Sequence, residues 1–185
     1  MSSTPDTARR VFAQHVPFVP THYQCFDAAR MLAESVVGTE PEVTCVIGIA
    51  SGGTSPARVM ADYLKVPFHT VTARHNASDA AFQQATGTVE VLLPEALPGR
   101  FTGTVLLVDD ITGTGATFAA VTDALRARFA DGAAVMTAAL FRNRGCPLNP
   151  DRWAWTVNDW VVFPWERPHH GLTQPVPALR RVNAR

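Results

Sequence analysis

Apolar positions fall at helical spacing over residues 23–37. Phe26, Ala29, Leu32 and Ala33 share one side, and Gly38 stops the run. Residues 44–49 (TCVIGI) form a short β-rich apolar run, the pattern of a buried strand. The tight turn ASGGT follows at 50–54. Pro56 then opens a second helix that reaches residue 64, since proline suits a first helical turn. Further strands are predicted at 66–72, 89–93, 105–108 and 135–141. A long polar loop lies at 73–87. A helix at 116–129 carries Phe118, Val121, Leu125 and Phe129 on one side. Strands alternating with helices predict an α/β fold with a central, mainly parallel sheet flanked by helices. Residues 1–20 are polar and proline-marked and read as an irregular arm. After Phe141 the chain turns rich in tryptophan and proline, with Trp153, Trp155, Trp160 and Trp165, and reads as a small appendage on the sheet.

Composition narrows the function classes. A chain of 185 residues suffices for one domain with a full core, taken here as 1–185. The formal net charge of zero leaves no electrostatic footprint for nucleic acid or an anionic membrane. No stretch approaches the roughly 20 apolar residues of a membrane span, and MSSTPDTARR lacks a hydrophobic signal core. A cytoplasmic protein is the expectation. Cys25, Cys45 and Cys146 show no metal-ligand spacing and are expected as buried free thiols.

Residues 105–118 read VLLVDDITGTGATF. An apolar strand runs into Asp109 and Asp110, and a Gly/Thr loop then leads into a helix. Ligands of open α/β sheets sit outside the carboxyl ends of the strands, where the two acids are expected to stand. Backbone N–H groups at a helix start are unpaired, and the dipole there favours an anion. Gly113 and Gly115 let the backbone approach it, while Thr112, Thr114 and Thr117 add hydroxyls. The acids suit a sugar diol or Mg²⁺ rather than phosphate. The stretch therefore predicts a sugar-phosphate site. It is not a P-loop, which needs a lysine; the one lysine in the chain is Lys65. The dinucleotide fingerprint needs glycine where Phe118 stands.

This stretch resembles the phosphoribosyl-pyrophosphate (PRPP) motif of the type I phosphoribosyltransferases, and the order of elements over about 23–142 agrees with that fold. The resemblance implies that Asp109 and Asp110 hold the ribose hydroxyls and Mg²⁺, and that Thr112, Gly113, Thr114, Gly115, Ala116 and Thr117 hold the 5′-phosphate. Ser51, Gly52 and Gly53 resemble the family's pyrophosphate loop, which implies a cis peptide at Ser51–Gly52. Residues 73–87 match the position of the family's catalytic loop, with Arg74 and His75 as candidates to reach the pyrophosphate. Residues 160–166 (WVVFPWE) resemble the hood of the xanthine–guanine branch of the 6-oxopurine enzymes. That implies a hood over 143–170, with an irregular tail to 185, in which Trp160 stacks on the base and Val161 and Glu166 meet its edge. Trp165 reads as core.

Three positions depart from the family's pattern, two of them from that branch's base site. Its lysine for the purine O6 has no counterpart after Phe141, where Arg142, Asn143 and Arg144 follow, and Arg142 is the candidate to take its place. Its aspartate near purine N7 corresponds to Gly113. Ser51 likewise stands where relatives carry a basic residue. The resemblance implies Mg²⁺-dependent transfer of phosphoribose to a 6-oxopurine by a possible homodimer. A silent nucleotide-binding regulator, or a transferase for another base such as orotate, stays open.

Overall fold

In the computed structural model, which describes residues 9–74, 82, 84 and 88–185, the elements alternate as the pattern predicts. They run β1 (Phe18–Val19), α1 (His22–Glu34), β2 (Val43–Ala50), α2 (Thr54–Leu64), β3 (Phe68–Arg74), β4 (Glu90–Leu92) and β5 (Thr104–Thr112). Then follow α3 (Ala116–Leu125), β6 (Ala134–Asn143), β7 (Arg152–Val157), β8 (Gln174–Pro175) and β9 (Asn183–Ala184). The main sheet has the order β4-β3-β2-β5-β6-β7-β9. Its inner pairs are parallel, and β4 and β9 close the two edges antiparallel. Strands β1 and β8 form a separate small parallel pair.

Strand periodicity sorts the core onto two faces. Val46, Leu106, Val108 and Leu140 point to the side of α1 and α2. Cys45, Ile47, Ile49, Val105 and Leu107 point to the side of α3, where Phe118, Val121 and Leu125 cover them. Helix α1 starts on a capping box, in which Thr21 and Gln24 satisfy each other's backbone N–H. It buries a stripe of small residues, Cys25, Ala28, Ala29 and Ala33, around Leu32. Helix α2 lies close on β2, because a side chain at Gly48 would come within 2.8 Å of Ala57 Cβ. Cys25, Cys45 and Cys146 are free and buried, as expected. Burial pushes the Cys25 thiol up to about 12 and Cys45 to about 11, so neither supplies a thiolate.

Several boundaries differ from the pattern. Helix α1 ends at Glu34 rather than 37, and Phe26 is 54% exposed, because Cys25 rather than Phe26 takes the inward position. Strand β5 continues past its apolar run: Asp109 pairs with Ala139, Ile111 with Phe141 and Thr112 with Arg142. The ladder with β6 carries the acids inside the strand rather than after it. Helix α3 stops at Leu125 and tightens into a 3-10 turn at Arg126–Arg128. Arg152–Val157, expected in the appendage, is a full member of the sheet, parallel to β6.

Phe141 anchors this end of the sheet, fully buried and stacked on Trp155 at 4.8 Å. Phe141→Ala is expected to cost about 3–5 kcal/mol in urea unfolding, whereas Phe26→Ala stays within about 0.5 kcal/mol.

Candidate functional site

Three separate stretches of the chain meet at the carboxyl end of the sheet. Strand β5 delivers Asp109 and Asp110, both half-buried, beside the turn that leaves β2. A methyl on Gly52 would stand 1.8 Å from Asp110 Oδ2, and one on Gly53 would stand 2.4 Å from the Val108 carbonyl and 2.8 Å from Asp109 Cα. Only glycine allows this approach. The cis peptide falls at Ala50–Ser51, one bond before the expected Ser51–Gly52. A cavity of about 670 Å³ opens here, lined among others by Ser51, Gly52, Arg58, Asp110, Trp165 and Glu166.

The charges in this site are costly. Burial, with the Glu166 charge beside it, pushes Asp110 up to about 7. Burial, with the Asp110 charge next, raises Asp109 well above the carboxylate range. The Asp109 carboxylate also accepts from the Asp110 backbone N–H at 2.9 Å. Hard carboxylate oxygens that repel one another are a donor set suited to Mg²⁺, which takes one or two protein carboxylates and completes its shell with water and substrate phosphate. Asp109 and Asp110 are the residues that would hold it.

The loop 112–117 turns into α3 through Gly115, at φ +85° with Leu148 packed against it. Thr112, Gly113, Thr114 and Gly115 are buried, and Ala116 and Thr117 are half-buried. Thr114 Oγ1 accepts from the Ala116 N–H at 3.3 Å, and the Thr112 hydroxyl lies 3.5 Å from Cys146 Sγ. These two hydroxyls brace the loop.

The hood residues are spread over different neighbours. Val161 is buried and bridges to Phe18. Trp160 is half-buried, with its ring 6.1 Å from both Phe12 and Phe82. Trp165 stacks on Phe163 at 4.9 Å, packs on the core as expected, and also lines the cavity. Glu166 accepts from the Phe163 N–H at 3.0 Å, so it also holds its own turn. The Arg142 fork is engaged elsewhere: Nε donates to Asn149 Oδ1 and Nη2 to the Cys146 carbonyl at 3.0 Å. That spends it on the 143–149 turn, so its fork does not reach out toward a purine O6, the place the sequence suggested for it. Arg74 ends β3, exposed and opposite Glu90. His75 lies outside the described residues.

Two groups escape sequence reasoning. Arg58, on the second turn of α2, lines the cavity beside Ser51 and Gly52. Its only sequence signal is its place seven residues after Ser51, on the helix that the turn opens into. The arm carries the second group. Val11 exchanges hydrogen bonds with the Asn143 amide at 2.8 and 3.0 Å, and the Gln14 N–H donates to Asp159 Oδ2 at 2.8 Å. Arg10 is thereby laid across Gly113. Nothing in the local pattern around Arg10 marks it.

The phosphoribosyl transferase domain family matches residues 21–170. The fold is shared with a purine phosphoribosyltransferase of Pyrococcus horikoshii, at 23% identity and TM-score 0.68, covering 83% of this chain and 96% of that one. A Helicobacter pylori xanthine-guanine-hypoxanthine phosphoribosyltransferase gives 16%, 0.64, 80% and 93%. A Neisseria gonorrhoeae protein with bound ppGpp gives 24%, 0.61, 83% and 92%. No curated protein matches the sequence. Among the described residues no helix is long and apolar enough to cross a membrane. With the motif residues gathered at one end of the sheet and the match spanning most of the chain, the protein belongs to the phosphoribosyltransferase family.

Proposed function

We propose that the protein transfers the phosphoribosyl group of PRPP to a 6-oxopurine (hypoxanthine, xanthine or guanine) with Mg²⁺, releasing pyrophosphate. The observation that carries this is the contact of Gly52 and Gly53 with the Asp109–Asp110 pair. It sets an anion-suited turn directly against carboxylates, and a ligand bearing both a diol and phosphates satisfies both. In this reading the carboxylates accept from the ribose hydroxyls, and the backbone of 113–117 at the start of α3 takes the 5′-phosphate. Ser51, Gly52, Gly53 and Arg58 face the pyrophosphate. Asp109 and Asp110 would hold Mg²⁺, which when bound would supply charge neutralisation for the leaving group. A ring nitrogen attacks C1 as the C1–O bond breaks, the electron pair leaves with pyrophosphate, and the proton of that nitrogen passes to solvent water. The chain's own work is positioning and electrostatic stabilisation.

A nucleotide sensor on the same fold is the second reading. The observation that favours it is Arg10 standing where an aspartate would accept a ring proton. Pyrophosphate release from PRPP and Mg²⁺, measured over a panel of bases, separates the two. Release that depends on a 6-oxopurine supports the transferase. No release from folded protein that binds PRPP supports the sensor.

Asp110→Asn is expected to lower kcat/KM for PRPP about 10- to 100-fold, the worth of a charge-assisted hydrogen bond, with an unchanged circular-dichroism spectrum. Wild-type turnover would remove the diol assignment. Gly52→Ala forces the turn off Asp110. It should lower stability by about 1–3 kcal/mol and weaken PRPP binding, both readable by thermal shift with and without ligand.

Asp110 also sets a pH dependence. Its carboxyl, raised to about 7, is protonated at lower pH and then holds neither diol nor cation well. PRPP affinity, followed by calorimetry, is expected to rise as pH crosses about 7, and Asp110→Asn should flatten that rise. In the ligand-free protein the direction reverses. The folded carboxyl keeps a proton that the unfolded one has already lost, so its contribution to stability falls as pH climbs from the ordinary 3.8 through about 7.

A further inference from the structure

The arm before β1 lies outside the residues that the family matches, yet it is built into the site. Asp159 is buried, and its two oxygens accept from the Gln14 and Trp160 N–H groups. Asn143, also buried, holds Val11 on both sides. The Arg10 backbone is clamped by the Gln84 amide, which accepts from its N–H and donates to its carbonyl, each at 2.8 Å. These anchors fix where the Arg10 side chain goes. Its Nε would lie 2.2 Å from a methyl on Gly113, and its guanidinium stands 5.9 Å from the centre of the Trp160 ring. Phe12 and Phe82 complete an aromatic wall around Trp160, 5.6 Å from each other and edge to face.

Arg10 Nε is buried with no hydrogen-bond partner. A buried donor without a partner loses its hydration and gains nothing in return, so a bound acceptor recovers that cost. Burial lowers the Arg10 pKa, and the Asp109 and Asp110 charges oppose that shift. A guanidinium only donates, in a planar fork. Flat aromatic walls call for a flat ring, and the fork calls for a ring edge with adjacent acceptors.

We propose that Arg10 is the specificity-determining residue of the acceptor site, donating to a carbonyl oxygen and neighbouring ring nitrogen of a 6-oxopurine and thereby rejecting a 6-amino ring. This inference rests on the reading of the site as a nucleotide-forming one. Gly113 is then the complement of Arg10, since a side chain at Gly113 would occupy its place. The 6-amino ring offers a donor where the fork needs an acceptor, which leaves one arm of the fork unpaired.

The test is calorimetric binding of inosine 5′-monophosphate, adenosine 5′-monophosphate and ribose 5-phosphate to the full chain, with Arg10→Gln and Arg10→Lys checked for unchanged melting. The wild type is expected to prefer the inosine nucleotide. Arg10→Gln should weaken that nucleotide about 10- to 100-fold and erase or invert the preference, because an amide both donates and accepts. Arg10→Lys should restore part of it. Ribose 5-phosphate affinity should stay unchanged throughout. An unchanged preference in Arg10→Gln, with ribose 5-phosphate still bound, overturns the role of Arg10 while the site reading stands. An equal loss for all three ligands makes Arg10 a phosphate ligand and also overturns it. Failure of the wild type to bind any of the three overturns the site reading itself and this inference with it.

Discussion

The close approach of two glycines to two carboxylates organises this end of the molecule. Gly52 and Gly53 lie so near Asp110 and Asp109 that neither can carry a side chain. That contact requires β2 and β5 to be parallel neighbours in a fixed register, with Gly48 opposite Val108. It also requires α2 to sit low on β2, which Gly48 and Ala57 permit. The two hydrophobic faces of the sheet hold that register, because a slip by one residue would exchange them. The core thus fixes the distance between an anion-suited turn and an acid pair, and the chemistry follows from that distance.

The second organising feature is the arm. Its backbone polar groups are satisfied by the side chains of Asn143, Gln84 and Asp159, which come from the sheet, the loop after β3 and the hood. Asp159 and Asn143 therefore hold the arm against the sheet end and the hood. The consequence is chemical. The guanidinium of Arg10 lies over Gly113 and beside the Trp160 ring, so the loop that opens α3 faces a cation next to an aromatic surface.

Much of this was legible in the sequence. Apolar runs located every strand from β2 to β6, and VLLVDDITGTGATF marked the acids that the structure brings beside Gly52 and Gly53. The misses have physical causes. The end of β5 was obscured because its ladder with β6 runs on through polar residues. Strand β7 was hidden by its composition: Trp153 and Trp155 read as hood aromatics, whereas pairing with Ala139 and Phe141 makes them strand. Arg142 looked available because nothing local shows that Asn149 and Cys146 claim it. Arg10 and Asn143 are far apart in the chain, so no periodicity could place the arm over Gly113.

The central claim is that one ligand spans the carboxylates and the loop that opens α3. Crystals grown with ribose 5-phosphate and Mg²⁺ test it most directly. The account predicts the sugar hydroxyls on Asp109 and Asp110 and the phosphate on the backbone of residues 113–117. A phosphate bound away from that loop, or a sugar turned from the two acids, would contradict it.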